Sequence, residues 1–412
     1  MRNSLRHLKH PLKKAMGHFF LCLRYGLHWM GLANEIRRYQ SLKKTPPVLL
    51  CIANPGSIGG TELQIQIIAE ALKNRLGDCL VLISGQLEGG RSNLFLERLK
   101  SLQIPFLRLR SLGLVPYHQW PFLKKRTAYL LGKAIGRSKI CHFFNPSSTV
   151  LAPVVKTLGL AIYYMETGMP VSEGWWKVLH TTMGWFDYIT SVSSAGLRRL
   201  EILYGYKGPS CVTPSMFNRL PSHFLCRQPV QGIFDLVYFG RMTRGKGVDL
   251  LIGAFSRLVR DFPYARLSLI GSGERLPLLR KVVNELRLAD RVQFTDWLQG
   301  EALFSRLITM DLFCLPSFSE GLPTSLLEAM SIGLPILATN VGGVPEIIEH
   351  NVSGILIPPR DEEALTRALA ELADDPLRRL RLRAEALLRW EKVGTKEAVI
   401  GQLMTAYRMA SS

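Results

Sequence analysis

The stretch SEGLPTSLLEAM, residues 319–330, sets two carboxylates, Glu320 and Glu328, eight positions apart across a proline. The apolar run MDLFCLPS at 310–317 reads as a buried strand, after which the chain turns through Gly321, Leu322 and Pro323 into a helix. Proline suits a first helical position, where its missing N–H costs nothing. The helix is therefore expected from about Pro323, burying Leu326, Leu327, Ala329 and Met330 and ending at Gly333. Glu320 then stands in the loop ahead of the helix and Glu328 inside it. The backbone N–H groups of Gly321, Leu322 and Thr324 face the same space as Glu320, and a helix N-terminus attracts anions. Carboxylates beside such donors suit a ligand carrying both phosphate and hydroxyl groups. A solvated loop acid and a surface helix residue fit the same pattern, and this stretch alone leaves both readings open.

Two further loops carry matching chemistry. In GRMTRGKGVD, residues 240–249, Arg241 and Lys246 provide a planar fork and a flexible point charge for a diphosphate, and Gly245 and Gly247 free the backbone. Arg244 also fits a simple surface residue. In GSIGGTE, residues 56–62, Gly59 and Gly60 let another helix N-terminus approach an anion.

These loops need strands to position them. VLLCIA, CLVLIS, ICHFF, LAIYYME and FDYITSVS alternate with amphipathic helices, and a second alternation runs through IFDLVYFG, ARLSLIGSGE, RVQFTDW, MDLFCLPS, LPILATN and SGILIPP. Such alternation indicates parallel sheets covered on both faces, with ligands at the carboxyl ends of the strands. The expected fold is α/β, two Rossmann-like doubly wound domains facing across a cleft. The expected organisation is a basic extension (1–45), a first domain (46–207), a linker (208–232), a second domain (233–390) and a C-terminal helix (391–412) returning to the first domain.

With 412 residues and 47% hydrophobic content, the chain suits two globular domains. Its net charge of +20 is concentrated: residues 1–45 hold ten Lys/Arg against Glu35, and residues 91–139 hold eleven against Glu97. The first of these stretches interleaves its cations with Phe19, Phe20, Leu23, Leu27 and Trp29, the composition of a helix lying on an anionic membrane surface. A packed extra helix with a solvated basic face is the alternative. Arg24 and His28 break the apolar run, so neither a spanning helix nor a cleaved signal peptide is expected. No nucleic-acid-binding motif accompanies the charge, and nucleic acid is not an expected partner. Seven cysteines without a C-x-x-C pair fit buried thiols in a reducing cytoplasm. The nine histidines show no metal-site spacing.

Taken together, GRMTRGKGVD, LIGSGE, SEGLPTSLLEAMSIGLPILATNVGGVPEII and SGILIPP resemble the retaining, nucleotide-sugar-dependent glycosyltransferases of GT-B fold, a family that includes many bacterial polysaccharide and lipopolysaccharide enzymes. The resemblance covers about residues 47–405, and the Glu320…Glu328 spacing matches the family's E-x7-E signature. By that resemblance, Arg241 and Lys246 hold the diphosphate of a UDP- or GDP-linked sugar, Glu320 contacts the sugar and Glu328 binds the ribose hydroxyls. Gly59 and Gly60 would lie against the phosphates. VQFTDWL, with Trp297, would flank the base, although Asp296 stands where the family often has glycine. Gly321, Leu322 and Thr324 would offer amides to the leaving diphosphate, so neither a metal nor a further cofactor is implied. Many relatives carry a histidine late in the first domain, where this chain has Glu166, a residue that also fits an ion-paired or capping acid. His142 and His180 read as structural, and Trp175 and Trp176 as packing residues or a sugar platform. The implied acceptor is a glycan or lipid-linked sugar at the cytoplasmic face of the membrane, reached through residues 1–45 and 91–139. A nucleotide-sugar epimerase and a silent membrane scaffold are the competing readings.

Overall fold

The computed structural model describes residues 48–53, 60–77, 79–84, 93–109, 128–129, 131–132, 138–166, 180–217 and 232–411. The extension 1–45, most of the basic stretch 91–139, Gly59, Trp175 and Trp176 lie outside the described residues.

The first half runs β1 (Val48–Ala53), α1 (Gly60–Leu76), β2 (Leu80–Ser84), α2 (Leu94–Ser101), β3 (Phe106–Leu109), β4 (Ile140–Phe143), α3 (Ala152–Lys156), β5 (Ala161–Glu166), β6 (Tyr188–Ser191), α4 (Ser194–Tyr204) and β7 (Ser210–Val212). The strands β3-β2-β1-β4-β5 lie side by side, all parallel, with Leu49 opposite Leu80 on one side and Cys141 on the other. β1 is a continuous apolar run because it is buried on both faces. Gly77, at φ +83°, ends α1, and Asn93 caps α2 by accepting from the Leu96 N–H. The buried cysteines Cys51, Cys79, Cys141 and Cys314 and the half-buried Cys211 are all free thiols. By contact, β6, α4 and β7 group with the second half of the chain, and β7 forms inside the stretch read as a linker.

The second half runs β8 (Phe234–Phe239), α5 (Val248–Asp261), β9 (Ala265–Ile270), α6 (Leu276–Glu285), β10 (Val292–Thr295), α7 (Gly300–Leu307), β11 (Leu312–Leu315), α8 (Thr324–Ser331), β12 (Ile336–Thr339), α9 (Val344–Ile347), β13 (Ile355–Ile357), α10 (Glu362–Asp374), α11 (Pro376–Val393) and α12 (Lys396–Ser411). Its parallel sheet has the order β10-β9-β8-β11-β12-β13. The chain winds outward from β8 to β10, returns to the centre at β11, and winds outward again. The loops leaving the carboxyl ends of β8 and β11 therefore diverge at the sheet's switch point, where such folds bind ligands.

Helices on the C-terminal side brace this sheet. Arg379 on α11 is fully buried and donates to the Leu372 and Ala373 carbonyls in the last turn of α10, its guanidinium lying 5.2 Å from the centre of the Phe234 ring. Trp390, also on α11, is buried. Among the described residues no helix is long and apolar enough to cross a membrane.

Candidate functional site

The two loops at the switch point are bound to each other before any ligand is considered. Beyond β8, the buried Tyr238 hydroxyl donates to the Arg241 carbonyl at 2.7 Å, and Gly240 takes φ +148°. Gly247 takes φ +62° at the start of α5, where a Cβ would run into the Pro316 carbonyl and the Phe318 ring. The Phe318 N–H donates to the Gly245 carbonyl at 2.8 Å. Glycine is thus required at 247 for close approach as well as for backbone freedom.

That docking brings Lys246 onto Glu320. The Lys246 Nζ lies 2.6 Å from Glu320 Oε1, and the side chains are 18% and 6% exposed, respectively. The Ser317 hydroxyl donates to the same oxygen at 2.6 Å, and the Thr339 hydroxyl donates to the Ser317 carbonyl at 2.5 Å. Both bonds fall on Oε1, leaving Oε2 without a partner among the described residues. Burial, reinforced by the Glu320 charge, raises the Tyr238 phenol well above its ordinary range. Lys246, expected as a point charge for phosphate, here holds a carboxylate. Neither Ser317 nor Thr339 is among the residues expected from the sequence, although Ser317 and Glu320 stand in Ser-x-x-Glu spacing.

Pro323 sits at the N-cap of α8 and Thr324 is the first helical residue, one position later than expected, because Pro323 takes an extended ψ of 128°. Gly321 and Leu322 are buried, and their N–H groups and that of Thr324 have no hydrogen-bond partner among the described residues. Thr324 and Glu328 are four residues apart, on one face of α8. Glu328 is half-buried and has no hydrogen bond or ion pair from its carboxylate among the described residues. Burial pushes its pKa up to about 7.

The remaining expected residues are distributed as follows. Arg241 is exposed at the carboxyl end of β8, and Trp297, 38% exposed, stands two residues beyond the end of β10 on the same edge of the sheet. Gly60 opens α1, and Glu166 is the last residue of β5. His142 is fully buried and its pKa falls to about 3, which keeps it neutral, as a structural histidine should be. Among the described residues no group of three or more His, Cys, Asp or Glu is placed to hold a metal ion.

Residues 230–389 match the family described as Glycosyl transferases group 1. A GDP-mannose-dependent alpha-(1-6)-phosphatidylinositol monomannoside mannosyltransferase of Mycobacterium tuberculosis is 31% identical over 176 residues, 40% of this chain and 46% of that protein. The amylovoran biosynthesis glycosyltransferase AmsK of Erwinia amylovora is 32% identical over 168 residues, 39% of this chain and 40% of that protein. The alignments thus span less than half the length of these curated relatives. Among solved structures, Anabaena Alr3699/HepE in complex with UDP and glucose superposes with a TM-score of 0.74 at 18% identity, covering 88% of this chain and 99% of that one, a likeness of fold. The chain has the GT-B fold of two Rossmann-like domains, and its residues 230–389 match the glycosyl transferases group 1 family.

Proposed function

We propose that the chain transfers a hexose from a UDP- or GDP-linked donor to a glycan or lipid-linked acceptor, with retention at the anomeric carbon. The observation carrying this reading is the contact of Lys246 with Glu320 at the switch point, just ahead of the Gly321, Leu322 and Thr324 amides and the Glu328 carboxylate, which have no partner among the described residues. Ribose presents vicinal hydroxyls, and an ionised carboxylate is a strong acceptor for them, which suits Glu328. The diphosphate is received by Arg241, Lys246 and the amides of Gly321, Leu322 and Thr324. Glu320, already oriented through Oε1, offers Oε2 to a sugar hydroxyl and stabilises positive character on the ring.

In the transfer step the bond from the anomeric carbon to the diphosphate oxygen breaks, the acceptor oxygen forms the new bond, and the acceptor proton passes to the departing diphosphate. Charge on the leaving group is met by fixed cations and amides, the role a metal would otherwise fill. The names of the relatives support a nucleotide-sugar donor, one being GDP-mannose-dependent and one solved with UDP and glucose. The basic stretches 1–45 and 91–139 favour an acceptor presented at the inner face of the cytoplasmic membrane.

The test is incubation with UDP-glucose and GDP-mannose, with and without membrane extract. Release of nucleoside diphosphate that requires the extract supports transfer. Conversion of the donor sugar without release indicates an epimerase, and the absence of nucleotide binding indicates a scaffold.

A further inference from the structure

We propose that Glu346 is a positioning residue for the Glu320 loop, clamping the segment behind that loop onto the N-terminus of α4. The proposal rests on the transferase reading, in which Glu320 orients the donor sugar.

α4 begins at Ser194 with Ser193 as its N-cap, and the Ser193 hydroxyl accepts from the Gly196 N–H at 3.1 Å. The N–H groups of Ser194 and Ala195 have no acceptor within the helix. Glu346 takes both: Oε2 accepts from Ser194 at 2.9 Å and Oε1 from Ala195 at 3.0 Å. A carboxylate bridging two amides at the positive end of a helix gains from both charge and geometry. Glu346 lies on α9, which Arg389 holds from the other side by donating to the carbonyls of Glu346 at 2.8 Å and Ile347 at 3.0 Å.

The residues just ahead of α9 transmit this anchoring. The Gly343 N–H donates to the Gly321 carbonyl at 2.7 Å. A Cβ on Gly343 would come within 2.6 Å of Ser193 Cβ and press on the Gly321 carbonyl, so this glycine is wedged between the α4 cap and the donor loop. A Cβ on Gly342, at φ +55°, would run into the Glu320 carbonyl. The run of contacts from α4 through Gly343 to Gly321 therefore ends one residue from Glu320. Nothing about Glu346 in the sequence marked it for this task, because its partners are main-chain amides about 150 residues away.

Glu346→Gln keeps the size of the side chain but replaces one acceptor with an NH2 facing an N–H donor. Glu346→Asp keeps both acceptors at shorter reach. In Glu346→Gln, hydrogen–deuterium exchange should quicken by about tenfold in peptides covering 319–323 and 341–345, with β8 and β11 unchanged. With UDP-glucose and GDP-mannose as probes, kcat should fall by about tenfold or more, since small misplacements of reacting groups are costly. KM should stay within about threefold, and Glu346→Asp should recover part of the loss. Adding Glu346→Gln to Glu320→Gln should cost nothing further, because the first residue acts through the second. Unchanged exchange at 319–323, wild-type kcat, or losses that multiply in the double variant would overturn the proposal. If the wild-type protein turns over neither probe, the transferase reading is what fails, and the exchange measurement still decides whether the clamp exists.

Discussion

The loop ahead of α8 and the middle of α8 each carry a glutamate, and the two carboxylates live in opposite circumstances. Glu320 is almost fully buried, yet it is answered by the Lys246 ammonium and the Ser317 hydroxyl, both at 2.6 Å. Glu328 is half-buried and unanswered among the described residues, and burial pushes its pKa up to about 7. The first carboxylate is set in place before any ligand arrives, as a group that must meet a developing charge should be. The second lacks a partner that a ligand's hydroxyls would supply. In the proposed transfer, the same residue type would serve orientation in one position and recognition in the other.

The largest effect that would sharpen this comparison is loss of the buried pair. Glu320→Gln and Lys246→Ala should each lower kcat by about a hundredfold or more, the scale of losing one transition-state group. The two differ in stability: Lys246→Ala leaves a buried carboxylate without its cation and should lose about 1–3 kcal/mol in denaturant unfolding, whereas Glu320→Gln should lose less. Equal destabilisation by both would show that the pair serves only folding.

The pH dependence comes next. If nucleotide binding needs ionised Glu328, affinity for UDP-glucose or GDP-mannose should rise about tenfold between pH 6 and pH 8 as the carboxyl loses its proton near pH 7. Glu328→Gln should bind more weakly and without that slope. Stability should run the other way. The folded pKa lies above the unfolded value, so the native state keeps a proton that the unfolded chain has lost, and the contribution present below pH 4.5 disappears as pH rises through about 7. Comparing thermal melts of wild type and Glu328→Gln across that window isolates this term, and parallel curves would contradict it. The smallest expected effect is that of chelators: turnover should change little with EDTA, and strong inhibition reversed by magnesium or manganese would replace the fixed cations with a metal in this account.

Much of this arrangement was legible in the sequence because local patterns encode it. Apolar runs alternating with amphipathic helices implied the parallel sheets, and the glycine-rich loop 240–249 implied the backbone freedom that Gly247 uses. Glu320 was placed in its loop and Glu328 in its helix correctly. Several features depend on contacts far apart in the chain: the Lys246–Glu320 pair spans 74 residues, and Glu346 reaches amides about 150 residues away. Spacing rules report neighbours within a helix or strand and are silent about which loops meet at a switch point. The shift of Pro323 from first helical residue to N-cap came from its extended ψ, which proline allows as readily as the helical one.

Nucleotide recognition by the second half of the chain is measured most directly by isothermal calorimetry of UDP and GDP against wild-type protein and Glu328→Ala at pH 8. The prediction is binding of at least one nucleotide by the wild type and a loss of about 1.5–3 kcal/mol in the variant, as when a charged acceptor is removed from its hydroxyl partners. Binding of neither nucleotide, or equal affinity in both proteins, would contradict it.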